Sequence, residues 1–383
     1  MQNVSIKKTL KYIYVFVLLL LMVSCKYIRN TGDLLAGASE TDCGCDSLWS
    51  KPSAKQFVTV LEKTTISNHP VWKGYSLGEA AIVLNAGSLN DTTNCLGLWK
   101  NGKPVSYKCS KDIPTMLTPL YSYYINYKNT TNADSTFFVT GRNAPVFSSW
   151  MSENKIESAV YMPVDFPEFP FEISAMVKVQ LAIHEVFHIE VMLRKWYTNK
   201  GFWPEWERQP DRAGMLSCYE ENESVKKMIE DEQESLALLI EALLDHKKQD
   251  AVFIGNKFSE IREARYNALK DNQIILQNDI YGDCKTVESL MEIEEGIADY
   301  ASWVKMYDIG VVSRSDLLKR YRAKQKDKFY LTGCMLFHSS VLMNGGNDVD
   351  IMTKMVTANS IEEGNLFKIF KEQLVKYGDK GAL

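Results

Sequence analysis

The chain's clearest chemical pattern is His184-Glu185-Val186-Phe187-His188. On an α-helix, residues four apart lie about 40° apart around the axis and one turn up, so the two imidazoles point at one spot. That spacing suits two ligands of a tetrahedral zinc. Glu185 is turned about 100° from His184, beside such a metal and not on it, where it can accept a proton from an activated water. Ile173, Met176, Val177, Gln180, Ile183, His184, Phe187 and Val191 recur at steps of three and four, so the motif is expected on a helix. The competing reading of each imidazole is a core histidine with one hydrogen bond. His69 and His246 stand in no motif.

A third ligand must come from elsewhere. The extension HExxHxxGxxH fails, with Val191 and Arg194 in place of its Gly and last His, which excludes a metzincin. Downstream stands Glu294-Glu295-Gly296-Ile297-Ala298-Asp299-Tyr300, with Glu295 and Asp299 four apart on one predicted helix face. HExxH followed by ExxxD resembles the gluzincin zinc peptidases, the thermolysin-like group. The resemblance implies that His184, His188 and Glu295 bind Zn2+ and that Asp299 orients His184 through its second ring nitrogen. Glu295 follows His188 by 107 positions, a longer gap than in thermolysin itself, and implies inserted helices between the two motifs. Glu220 and Glu221 are rival third ligands without a following Asp. Glu292 and Glu294 read as an exposed acidic face.

Tyr330-Leu331-Thr332-Gly333 resembles the Tyr-x-x-Gly of aminopeptidase-like gluzincins, which implies that the Tyr330 hydroxyl donates to the oxyanion. The competing reading is an amphipathic core tyrosine, and His338 is the alternative electrophile. The Gly-Ala-Met-Glu-Asn segment with which those aminopeptidases hold a substrate amine does not occur in this chain. Arg262 and Arg265, three apart, read as structural or solvated ion pairs, with Glu292, Asp299 or a substrate carboxylate as possible partners.

Helical periodicity dominates from Ile173 onward, with helices expected over Glu223–His246, Phe258–Leu269, Val287–Met306, Ser315–Arg322, Phe329–Met343 and Glu362–Tyr377. Asn344-Gly345-Gly346-Asn347 is a stop. Residues 51–170 mix a helix at Lys55–Lys63 with strands at Thr136–Thr140 and Ala159–Met162. The expected fold is α+β, with a mixed lobe at 51–170 that offers an edge strand and a helical, zincin-like lobe at 171–383. The cluster of Trp196, Phe202, Trp203 and Trp206 is expected to pack round the end of the first helix.

The amino terminus reads as an address. Lys7, Lys8 and Lys11 precede a 12-residue apolar run, Tyr12 to Val23, the pattern of an export signal and short for a membrane span. Met22-Val23-Ser24-Cys25 resembles a bacterial lipoprotein signal, which implies cleavage after residue 24 and lipidation of Cys25. An uncleaved anchor is the alternative. Lys26 follows the cysteine where an Asp would retain the protein at the inner membrane, so the expected place is the cell envelope, at the outer membrane. Residues 25–50, rich in Gly, Thr, Asp and Ser, are a tether.

Losing three lysines takes the formal charge from -4 to -7. With 44 basic and 48 acidic residues over the whole chain, nucleic acid is not an expected partner. Seven cysteines remain in a compartment that permits disulfides, with Cys95–Cys109 and Cys218–Cys284 as candidate pairs. Cys43 and Cys45 are too close to pair with each other.

Together these features predict a lipid-anchored zinc metallopeptidase, with peptide or protein as substrate and the membrane as partner through its lipid. The alternatives are a zinc hydrolase of a non-peptide substrate and a non-catalytic envelope lipoprotein that retains a zinc site.

Overall fold

A computed structural model describes residues 50–66, 70–72, 75–76, 81–85, 94–100, 103–110, 123–126, 153–155, 158–163, 175–187, 219, 222–269, 273–275, 281–323, 328–358 and 360–379. The expected leader, Cys25, the expected tether up to residue 49 and the expected strand at Thr136–Thr140 lie outside them. Among the described residues, no helix is long and apolar enough to cross a membrane. In coarse terms the fold is α+β, as expected. The chain divides into two units, one of residues 1–69 and 76–189, the other of residues 70–75 and 190–383.

The first unit is built on a five-stranded mixed sheet. Its strands are β3 (Ala81–Asn85), β4 (Asn94–Lys100), β5 (Lys103–Ser110), β6 (Tyr123–Asn126) and β7 (Ser158–Pro163), in the order β5-β4-β3-β7-β6. Central β3 pairs antiparallel with β4 and parallel with β7. A strand with neighbours on both sides and cover on both faces needs an unbroken apolar run, and Ala81, Ile82, Val83 and Leu84 are all buried. Pro104 cannot donate to a ladder, and it stands on β5, at an edge of the described sheet. The hairpin register sets Cys95 opposite Cys109. The strand expected at Ala159–Met162 is β7.

Helix α1 (Pro52–Ile66) buries Ala54, Phe57 and Leu61 at steps of three and four. Helix α2 (Ala175–Phe187) buries Val179, Ala182, Ile183, Val186 and Phe187 by the same rule and packs on α1 and β7. The expected division at 170/171 would group α2 with the helical lobe. Its contacts instead group it with the sheet, and the units divide at 189/190.

The second unit is mainly helical. Its helices are α3 (Glu223–Leu244), α4 (Lys248–Ala268), α5 (Cys284–Asp299), α6 (Lys305–Asp308), α7 (Arg314–Tyr321), α8 (Lys328–Met343), α9 (Asp348–Val356), α10 (Ile361–Gly364) and α11 (Leu366–Asp379). Two small ribbons accompany them, β1–β2 (Pro70–Trp72, Tyr75–Ser76) and β8–β9 (Gln273–Ile275, Tyr281–Asp283).

Local chemistry explains the breaks. Asn222 caps α3 by accepting from the Ser224 and Val225 amides at 3.0 and 3.3 Å. After α3, the Lys247 amide reaches back to the Ala242 carbonyl and the His246 amide to that of Leu243. This Schellman turn places His246 in the left-handed region, where Gly is usual, and lets α4 begin at once, ten residues before the expected start. The expected single helix Glu362–Tyr377 is two, because the Asn365 side chain accepts from the Lys368 amide at 3.1 Å and starts α11 afresh.

Helix α8 is apolar nearly all round and lies at the centre, against α5, α3 and α11. It meets α5 at two glycines. A Cβ on Gly296 would come within 2.5 Å of the Gly333 Cα, and one on Gly333 within 2.2 Å of the Glu292 carbonyl. Only hydrogen fits at either position.

Candidate metal centre

His184 lies in the last turn of α2 and is buried, with 8% of its surface exposed. Glu185 is also on α2. His188 lies outside the described residues, as do the rival ligands Glu220 and Glu221 and the aromatic cluster Trp196–Trp206. One turn before His184, on the same face, stands Gln180. It is 3% exposed, and neither its amide oxygen nor its amide nitrogen has a hydrogen-bond partner among the described residues. A buried amide with both ends unmet suits a site completed by a water, an ion or a ligand.

Glu295 and Asp299 both lie on α5, in the other unit, at the one-face spacing expected of them. Glu295 is half-buried. The Asp299 carboxylate pairs with the Arg320 guanidinium of α7, which stacks on the Trp303 ring at 4.3 Å from its centroid. Directly after Asp299 the helix widens into a π-turn, Tyr300–Val304, a feature frequent at functional sites. The expected single helix Val287–Met306 thus continues as α5, the π-turn and α6.

Tyr330 sits in the first turn of α8 and is mostly buried, at 9% exposure. It stands three residues before Gly333, and Gly333 touches the backbone beside Gly296. The α5–α8 crossing therefore brings the stretches that carry Glu295 and Tyr330 together. His338, the alternative electrophile, is fully buried, and its Nδ1 is 2.8 Å from the Tyr321 hydroxyl. Burial, reinforced by the nearby Lys305 charge, pushes its pKa down to about 3, so the ring is neutral. Cys334 beside it is free and buried, its thiol pushed up by burial. Among the described residues, which do not include His188, no three His, Cys, Asp or Glu side chains gather to hold a metal ion.

The exposed acidic face expected at Glu292 and Glu294 is not there. Glu292 is 1% exposed and Glu294 8%. Glu292 belongs to a buried lattice of two arginines and three glutamates. Arg262 donates from Nη1 and Nη2 to the two oxygens of Glu292 at 2.9 and 2.8 Å, and from Nε to Glu232 at 3.0 Å. Arg265 holds both Glu232, at 2.5 and 3.0 Å, and Glu288, at 2.7 and 2.5 Å. The Tyr219 hydroxyl shares its one proton between Glu288, at 2.9 Å, and the Cys284 carbonyl, at 2.8 Å. The rings of Phe258, Tyr266 and Phe367 surround the Arg262 guanidinium. Burial raises the Glu292 pKa, while the two arginines outweigh burial at Glu288 and lower it.

Sequence reasoning found the arginines and missed Glu232 and Glu288. A signal was present: Glu232 falls on the apolar face of α3 between Ile229 and Leu236. Cys284, at the start of α5, is disulfide-bonded. Cys218, the partner expected for it, lies outside the described residues.

Against known proteins, no family model, curated protein or solved structure matches this chain.

Proposed function

We propose that the chain is an exported, lipid-anchored zinc peptidase in which His184, His188 and Glu295 hold the metal. The observation that carries the proposal is the occurrence of HExxH, whose His184 and Glu185 lie on α2, together with Glu295-x-x-x-Asp299 on α5, which ends in a π-turn. Two histidines and a carboxylate are the donor set of a catalytic zinc with one position left open. The unmet, buried amide of Gln180 on the His184 face fits a site that accepts something further. Such a zinc, when bound, supplies a Lewis acid for the scissile carbonyl and lowers the pKa of water. Glu185 would serve as the base that takes a proton from the attacking water and carries it to the leaving amine. Asp299 orients the His184 ring, and Tyr330 donates to the developing oxyanion, worth about 2.7–4 kcal/mol for donors of that kind. An edge strand of the first unit's sheet offers an extended peptide a ladder to join.

Glu185→Gln separates this reading from a zinc site kept for stability. Zinc content measured by atomic emission should stay at the wild-type level while peptide hydrolysis falls at least 100-fold. Retained hydrolysis would refute the mechanism. For the anchor, labelled palmitate should enter the wild type and not Cys25→Ala, and equal labelling would refute lipidation.

A further inference from the structure

Glu288, Glu292, Glu295 and Asp299 follow one another at steps of four, three and four, a single line down one face of α5. Arginine grips Glu288 through Arg265, Glu292 through Arg262 and Asp299 through Arg320. Glu295 lies on this line between Glu292 and Asp299.

Stability alone does not explain the lattice. Taking an ion out of water costs several kcal/mol, and apolar residues of like volume often replace a buried pair with no loss. A bidentate guanidinium–carboxylate pair supplies what apolar contact lacks, a fixed plane and direction. Arg262 and Arg265 leave α4 three residues apart, and both hold Glu232 of α3 as well as a glutamate of α5. The roll and the height of α5 are therefore set against two neighbouring helices at once. The backbone contact of Gly296 with Gly333 sets them against α8.

We propose that the lattice of Arg262, Arg265, Glu232, Glu288 and Glu292 is a positioning device that aims Glu295. The inference rests on the assignment of Glu295 to zinc. Arg262 and Glu292 can be exchanged together as a charge-neutral change: Glu232 loses the one bond it accepts from Arg262 Nε, and Arg265 keeps its hold on both Glu232 and Glu288. The test uses the full chain with zinc itself as the probe, its dissociation constant measured by competition against a chelating indicator, beside the thermal midpoint. The double variant Arg262→Met/Glu292→Leu should keep or raise the midpoint and weaken zinc about 10–100-fold, the effect expected of a lost outer-shell support. Arg262→Lys keeps the charge without the fork. It should fold and weaken zinc in the same range, and it decides the matter alone if the double variant does not fold. Variants that fold and bind zinc within twofold of wild type overturn the inference and leave the metal assignment standing. Wild-type protein that binds no zinc overturns both.

Discussion

At the scale of single residues, environment separates side chains that the sequence lists as equals. His184 and His338 are both buried on helices, yet one lies beside an unmet amide and the other against a tyrosine hydroxyl. His338 makes the fold acid-sensitive. Its pKa is pushed down from 6.5 to about 3, so below pH 6.5 the unfolded chain binds a proton that the folded chain refuses. The stability that depends on the neutral ring is complete above pH 6.5 and is lost as pH falls toward 3. Between pH 6.5 and pH 5 the loss is about 2 kcal/mol. Urea titrations at the two pH values should show it in the wild type, and His338→Gln should flatten it. An unchanged slope in the variant would place the acid sensitivity elsewhere. Glu292 carries the opposite lesson. Acidic residues at 292 and 294 look like a solvated face because Glu is rarely buried. What holds Glu292 inside is Arg262, thirty positions upstream, and spacing within one helix cannot report a partner on another.

At the scale of elements, periodicity located most of the second unit's helices, because each buries a stripe that repeats at 3.6 residues. The breaks were harder to read, since they depend on one side chain each: Asn365 caps, and His246 turns. The π-turn after Asp299 has no sequence signature at all. Gly296 and Gly333 looked like parts of two short motifs, and the crossing of α5 with α8 gives them a physical reason. Gly333→Ala puts a methyl 2.2 Å from the Glu292 carbonyl, against backbone on both sides. The helices must separate, at a cost of about 3 kcal/mol, the upper range for overpacking a core. Chemical denaturation should show a midpoint shift of that size, and a midpoint equal to wild type would mean that the crossing is not tight. A surface change such as Lys371→Ala should cost under about 0.5 kcal/mol.

At the scale of the whole molecule, the proposed ligands are divided between units: His184 on α2 of the first, Glu295 on α5 of the second. The two motifs are legible because each is a local helix pattern. The shared metal proposed for them is not, because the 107 positions between His188 and Glu295 carry no record of separation in space. The division nonetheless makes a prediction specific to this ligand set. A ligand that binds only the folded state protects whatever its binding holds together. Zinc held by residues of both units should therefore slow amide hydrogen exchange in α2 and in α5, at the same zinc concentration. A zinc held by the two histidines and a near neighbour should slow α2 alone. Exchange measured by mass spectrometry, with zinc and with a chelator, distinguishes the two. Protection confined to α2 would remove Glu295 from the metal, and with it the roles of Asp299 and of the lattice behind it. Protection of both helices, lost in Glu295→Ala, would assign the third ligand directly.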